Sequence, residues 1–345
     1  MLHWLLQKKQ LSSNITKTAA DLIKKDVIVL SDYVMGVDVG GTKILVGFVK
    51  RDGGIVVQKR YPMNRSSFDL ALDSIFFACQ DFLYENMYLP KPLAVGFGLV
   101  GRCDPKNGIW TSAVNIPITS AVNLRSEMDQ RHGLKAFLDN DVFCQTTAEL
   151  LYGAGKVYDD FILVNIGTGL SMGIVSGGNL VRGSGNVAGE VGQIKTGHGT
   201  STLEEISSGG GQALRAKREA KKYSSSLAHY ADELINPGAI FEEAKNGDKL
   251  ANMIYEDAAS AICQTMANLV SIFNPAAVIF AGSVIKTPGL LERISDYIHK
   301  NAYFSSLKDL KEICLTKLDV DIVGLIGAAS VAWMGLEKIE EVDFV

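Results

Sequence analysis

Cysteine is sparse and scattered: Cys79, Cys103, Cys144, Cys263 and Cys314 form no CxxC or CxC pair. That spacing argues against a structural zinc site and against a disulfide framework, and fits a reducing compartment. Proline is scarce too, with eight in 345 residues, as in an ordinary globular chain. An excess of one charge is missing: 34 Lys and Arg against 38 Asp and Glu give a net charge of −4. The lack of a basic stripe argues against a nucleic-acid surface over the main body. The local exception is residues 1–27, where Lys8, Lys9, Lys17, Lys24 and Lys25 face only Asp21 and Asp26. A clean apolar run is also lacking. The opening MLHWLLQKKQ meets lysine too early for a secretory signal. Ala258 to Ile285 carries no charge, yet Asn274-Pro275 breaks it, so it reads as a buried helix followed by a buried strand.

What remains is the composition of a folded, soluble chain, 47% hydrophobic and 21% charged. At roughly 150 residues per domain the length predicts two domains. VMGVDVGG, TKILVGFVK and GIVVQKRY alternate as three strands joined by tight glycine turns. A helix is expected near 67–86, then the strand PLAVGFGLV, a strand ending in LKAFLDND, and a helix over 142–153. At residue 160 the strand pattern restarts with DFILVNIGTG, LSMGIVSGG and NLVRGS. Helices fill most of 204–273, and AAVIFAG, a helix at 288–301, a strand near 313–318 and a helix at 324–336 follow. A strand triplet with helices is thus stated twice. It fits a duplicated α/β domain, with two unrelated α/β domains as the alternative.

Each triplet carries a glycine turn, DVGGTK (Asp38–Lys43) and NIGTGL (Asn165–Leu170). Glycine lets the backbone approach a bulky anion, and successive N–H groups with a threonine hydroxyl can cradle phosphate oxygens. Neither turn is a Walker loop, and neither opens a helix as a dinucleotide fingerprint does. One turn alone reads as a hairpin; a pair, one per half, points to a nucleotide held between two lobes. LDND sets Asn140 and Asp141 at the end of a strand, just before a helix. Asn140 suits a helix N-cap, and the pair equally suits an amide and a carboxylate gripping a hydroxylated substrate. Glu190 and Glu204 add acceptors of the kind that ring hydroxyls need.

In that order the motifs resemble the ROK family (repressors, open reading frames and kinases), from about residue 34 to 336. DVGGTK resembles its first phosphate loop, GFGLVGRCD its GIGxPG turn, SAVNIP its apNlp segment and LDND its leNDa segment. IGTGLSMGIVSGGNLVRGSGNVAGEVGQ follows its longest signature, NPAAVIFAGSV its adenosine segment and GLIGAASVA its closing helix. The resemblance implies a duplicated ribonuclease H-like (actin-like ATPase) fold, with two lobes around a cleft. It further implies residues 34–139 with 324–345 as one lobe, 140–323 as the other, and 1–33 as an extension. Asp141 is then the catalytic base, with Asn115, Asn140, Glu190 and Glu204 on the sugar. Gly40, Gly41, Thr42, Lys43, Gly167, Thr168, Gly169 and Gly282 hold ATP, and Asp38 holds Mg²⁺ directly or through water. The implied activity is ATP-dependent phosphorylation of a hexose at a primary hydroxyl by a cytoplasmic homodimer. A sugar-responsive repressor and a non-catalytic sugar sensor are the alternatives, although 33 residues fall short of a winged-helix domain. Two departures stand out. Gln193 replaces the family's zinc-binding and sugar-contacting His, and TGHGTST lacks the family's CxCGxxGC loop. The expectation is therefore a chain without zinc, His198 being a lone loop histidine.

Overall fold

The structure is a computed structural model and describes residues 31–113, 116–196 and 199–343. Most of the expected extension, residues 1–30, and the residues Asn115 and His198 lie outside the described residues.

Alternating apolar residues and two tight turns give β1 (Tyr33–Val39), β2 (Lys43–Lys50) and β3 (Ile55–Pro62), an antiparallel meander. β1 and β2 are buried on both faces, while β3 alternates inward and outward as an edge strand does. α1 (Phe68–Glu85) is opened by the Ser67 hydroxyl, which accepts from Leu70 N. β4 (Val95–Leu99) then lies parallel to β1, followed by the small sheet of β5 (Arg102–Asp104), β6 (Ile109–Ser112) and β7 (Val122–Asn123). α2 (Leu124–His132) leads to β8 (Ala136–Asn140), parallel to β4. The first sheet is thus ordered β3-β2-β1-β4-β8.

The second half repeats the plan after α3 (Asp141–Tyr152). β9 (Phe161–Ile166), β10 (Leu170–Ser176) and β11 (Asn179–Leu180) form the antiparallel side. β12 (Ala277–Ala281) and β13 (Glu312–Leu315) form the parallel side, giving the order β11-β10-β9-β12-β13. Strand order and sense match the first sheet position by position, which favours duplication over two unrelated domains. Between β11 and β12 come α4 (Leu203–Ser207), α5 (Gly209–Glu219), α6 (Pro237–Lys245) and α7 (Lys249–Phe273). The uncharged stretch resolves as expected: α7 ends where Asn274 turns left-handed at φ 46°, and β12 follows. α8 (Leu290–Asn301) and α9 (Val323–Asp343) complete the chain.

Two expectations need correction. NLVRGS is a strand only at Asn179–Leu180, because Arg182 leaves the sheet to pair with Asp139 and Gly183 turns to φ 69°. The closing helix runs to Asp343 rather than 336. After Gly335 the sequence LEKIEEVD holds no glycine or proline, so nothing stops it.

Each sheet has apolar cover on both faces. Met35, Val37, Phe48, Phe82 and Phe97 belong to a core shared with α1, and Leu325, Ala329 and Trp333 of α9 cover the other face. In the second half Val164, Met266, Val270, Phe280 and Ile294 pack together, while Leu163 and Ile279 face Leu150 of α3. Each such side chain contributes about 1.5–3 kcal/mol on burial. α3 packs on β10 and on α9, so it joins the two halves and carries Asp141 at its first turn.

Candidate active site in the cleft between the two sheets

Asn140 ends β8 and caps α3. Its side-chain oxygen accepts from Val142 N at 2.9 Å and its amide nitrogen donates to Gly101 O at 2.7 Å. Both ends of the amide are engaged, leaving one N–H and one lone pair for a ligand. Gly101 can take this place because its φ is 90° and a Cβ there would stand 2.0 Å from Ser112 O. Asp141 follows at the start of α3, its Oδ1 accepting from Val142 N at 3.0 Å. Loss of hydration, and then the negative charge of Asp38, push its carboxyl up to about 6. Asp38, at the end of β1, is also pushed up to about 6 by loss of hydration, against the opposing pull of Lys43. It lies against the start of α9, where a Cβ on Gly324 would be 2.4 Å from its Oδ2.

Asn140 and Asp141 open onto a cavity of about 620 Å³ that is also lined by Gly167, Thr168, Gly169, Glu190, Gln193 and Glu204. The second glycine turn and the acids therefore converge as the sequence predicts. Glu204 accepts from Leu170 N at 2.8 Å, so this acid is pinned to the strand that leaves the turn. Glu190 follows Gly189, whose φ of 92° and 2.0 Å approach to Met172 O exclude any side chain. Its carboxyl is raised by loss of hydration and by Glu204 beside it. The carbonyls of Gly167 and Thr168 accept from Gly209 N at 2.8 Å and Gly210 N at 3.0 Å, tying the turn to the start of α5.

The remaining predicted residues lie elsewhere or beyond description. Gly40, Gly41, Thr42, Lys43 and Asp38 sit on the β1–β2 turn, outside the lining of this cavity. Gly282 stands behind the second turn, with φ 99° and its Cβ position 2.3 Å from Ile166 O. Asn115 lies outside the described residues, though its neighbours Ser112 and Ala113 line the cavity.

Sequence reasoning missed Asp139, Arg182 and Asn186. Asp139 is fully buried and forms a 2.5 Å ion pair with Arg182. Its Oδ1 accepts from Asn140 N at 2.9 Å and from Asn186 Nδ2 at 3.1 Å. Arg182 also donates to Asn186 Oδ1 at 2.9 Å and stacks over Phe143 at 5.0 Å. The end of β8 is thereby clamped to the 182–189 loop of the second half. The usable signal was a second carboxylate directly ahead of the Asn-Asp pair.

Residues 34–334 match the ROK family. The chain belongs to the ROK family. Similar proteins include a glucokinase of Thermotoga maritima, 29% identical over 86% of this chain and 96% of its own. A β-glucoside kinase of Listeria monocytogenes is 27% identical over 84% of this chain and 94% of its own. Among solved structures, a ROK family glucokinase from Streptomyces griseus in complex with glucose and AMPPNP matches with a TM-score of 0.68 and 28% identity. It covers 87% of this chain and 98% of its own.

Among the described residues no group of three His, Cys, Asp or Glu side chains could hold a metal. Between Gly189 and Glu205 the sequence holds no cysteine, so these residues do not fit a cysteine-rich zinc site.

Proposed function

We propose that this ROK protein transfers the γ-phosphoryl group of ATP to a primary hydroxyl of a hexose. One observation carries the reading: a carboxylate raised to about 6, Asp141, opens onto the same cavity as a glycine-threonine turn and two further acids. The glucokinase and β-glucoside kinase names of the relatives, and the glucose and AMPPNP bound by a neighbour, support it.

Phosphoryl transfer passes through a loose transition state, so the protein positions groups and balances charge. Asn140, Glu190 and Glu204, with Asn115, hold the ring hydroxyls. Asp141 orients the primary hydroxyl and accepts its proton as the oxygen bonds to the γ-phosphorus. The bond from that phosphorus to the β–γ bridging oxygen breaks, and ADP leaves with its electron pair. A positioned base of this kind contributes about 10²- to 10⁴-fold. The backbone of Gly167–Gly169 and of Gly40–Lys43 receives the phosphates, and Gly282 gives room to the adenosine. Asp38 fits a divalent cation, being a poorly hydrated carboxylate with only Lys43 as counter-charge. Mg²⁺ held there would neutralise the phosphate oxygens. Residues 34–139 with 324–345, and residues 140–323, act as two lobes whose closure excludes water. Assembly as a homodimer and a location in the ATP-supplied cytoplasm belong to the same reading.

The test is ADP release, coupled to an indicator reaction, over glucose, mannose, fructose, N-acetylglucosamine and N-acetylmannosamine. Sugar-dependent ADP release and a new phosphate ester on a primary hydroxyl are expected. ATP hydrolysis that no sugar stimulates would overturn the assignment.

A further inference from the structure

The cleft does not end at the three acids. Arg102, Ser112 and Asn186 line the sugar cavity and also a neighbouring one of about 730 Å³. Its walls are the β5–β6 hairpin on one side and the 182–186 loop on the other. No residue of either glycine turn lines it, so it extends the site away from the nucleotide. Hydroxyls and cations dominate the lining: Thr111, Ser112 and Ser184 with Arg102, Lys106 and Arg182. One of its cations is already matched, since Arg182 faces the buried Asp139. The wall also holds one acid: Asp104 accepts from Asn107 Nδ2 at 2.7 Å and from Asn107 N at 3.2 Å, and its carboxyl is lowered by these bonds and then by the charge of Lys106.

Arg102 is different. Among the described residues it has no ion-pair partner, and neither has Lys106. The Arg102 guanidinium rests on the opposite loop, its Nη2 2.9 Å from where a Cβ on Gly185 would lie, so any larger residue there would displace it. Every other ionisable residue lining the sugar cavity, Asp141, Glu190 and Glu204, is an acid. A neutral hexose can accept hydrogen bonds from this guanidinium but leaves its charge unmatched, whereas an anionic substituent satisfies both.

We propose that this second cavity is a subsite for an anionic group (carboxylate, sulfate or phosphate) carried by the sugar remote from the hydroxyl that is phosphorylated. Arg102 takes the group with its planar fork and Lys106 adds a second charge. The proposal rests on the kinase reading and names its substrate class as an acidic hexose derivative.

Three pairs test it, each measured as kcat/KM with ATP saturating. Glucose 1-phosphate is set against methyl glucoside, glucosamine N-sulfate against N-acetylglucosamine, and N-acetylmuramic acid against N-acetylglucosamine. The anion then stands on C1, C2 or C3. At least one acidic member is expected to exceed its neutral partner about tenfold or more, as charge-assisted hydrogen bonds do. Arg102→Gln should collapse that ratio, Arg102→Lys should restore part of it, and added salt should weaken it. No gain in any pair, or a gain that survives Arg102→Gln, overturns the subsite. A rise in the KM for ATP with unchanged sugar ratios assigns Arg102 to the nucleotide and overturns it too. If no sugar is phosphorylated, the kinase reading falls separately. Calorimetric titration of the same pairs without ATP then decides the subsite: tighter, Arg102-dependent binding of the acidic member supports it, and equal or weaker binding refutes it.

Discussion

Replacing Asp141 by asparagine should slow the enzyme and stabilise the protein together. The carboxyl is raised from 3.8 to about 6. Between those values the native chain holds a proton that the unfolded chain has released, so stability falls as pH rises, and above about 6 the whole cost is present. Roughly two pH units at 1.36 kcal/mol each give about 3 kcal/mol. Asp141 keeps some contact with water in the cleft, so about 1–3 kcal/mol is the expected gain. Asparagine cannot ionise, and its side-chain oxygen still accepts from Val142 N, where Asp141 now does so at 3.0 Å.

Urea melts without nucleotide or divalent ions, run from pH 4 to 8, read the stability. The margin of Asp141→Asn over the wild type should open between pH 4 and 6.5 and then stay level. Turnover at pH 7.5 should fall by about 10²-fold or more, with sugar binding retained by calorimetry. In the wild type kcat/KM should rise with pH through about 6, and this limb should change in the variant, where Asp38 titrates alone. Asp38 and Asp141 both sit near that value, so the limb belongs to the pair. A variant less stable by an amount independent of pH would refute the desolvation argument. Unchanged turnover would remove Asp141 from the chemistry.

Asp139→Ala strips the partner from Arg182 and the acceptor from Asn186. Breaking a buried pair costs about 3–5 kcal/mol, and because the Arg182 side chain is 38% exposed it can regain water, so about 2–3 kcal/mol is expected in urea melts, with a raised KM for sugar. Wild-type stability and KM would show the clamp to be idle. Deleting residues 1–32 should leave sugar-dependent ATP turnover in place, since among the described residues that precede β1 it removes the exposed Asp32–Lys50 ion pair and the hydrogen bonds of the Ser31 hydroxyl with Tyr33. Loss of turnover, or loss of a sequence-specific DNA complex that the full chain forms, would count against the kinase reading. Purified protein should carry no stoichiometric zinc, and elemental analysis finding one per chain would contradict the reading of 189–205.

What could be read from the sequence was local. Glycine turns and alternating apolar residues mark β1–β3 and β9–β10, because their period and punctuation lie within a few residues. Asn274-Pro275 separates α7 from β12 for the same reason. The Asn140-Asp141 pair was visible as a cap and as a site, and both uses of Asn140 remain compatible in its geometry. Hidden was everything that needs two distant segments at once. Asp139 and Arg182 are 43 residues apart and meet only because the 182–189 loop reaches across to the end of β8. The brevity of β11 follows from that same contact, so strand propensity in NLVRGS could not reveal it. The second cavity was hidden likewise, since Arg102 gains meaning only where Gly185 faces it.

The segment before α4, which holds no cysteine, is kept in position by hydrogen bonds. Lys195 and Thr202 form an antiparallel bridge, and Leu203 N donates to Ile194 O at 3.0 Å, pinching the chain shut around the turn. Thr202 caps α4 by accepting from Glu205 N at 3.2 Å, while Glu205 accepts from Thr202 N at 2.7 Å. α4 is only five residues long, so without this reciprocal cap its first turn would have little to hold it. The first turn carries Glu204, and Leu170 N fixes the carboxylate from the other side at 2.8 Å. The cap, the pinch and the strand after the second glycine turn together hold this turn. One end of that chain of contacts is the Gly167–Gly169 turn, so under the proposed function the nucleotide subsite and the Glu204 sugar subsite are joined through it. Removing the cap with Thr202→Ala should therefore raise the KM for both substrates, whereas a purely local cap would affect stability alone.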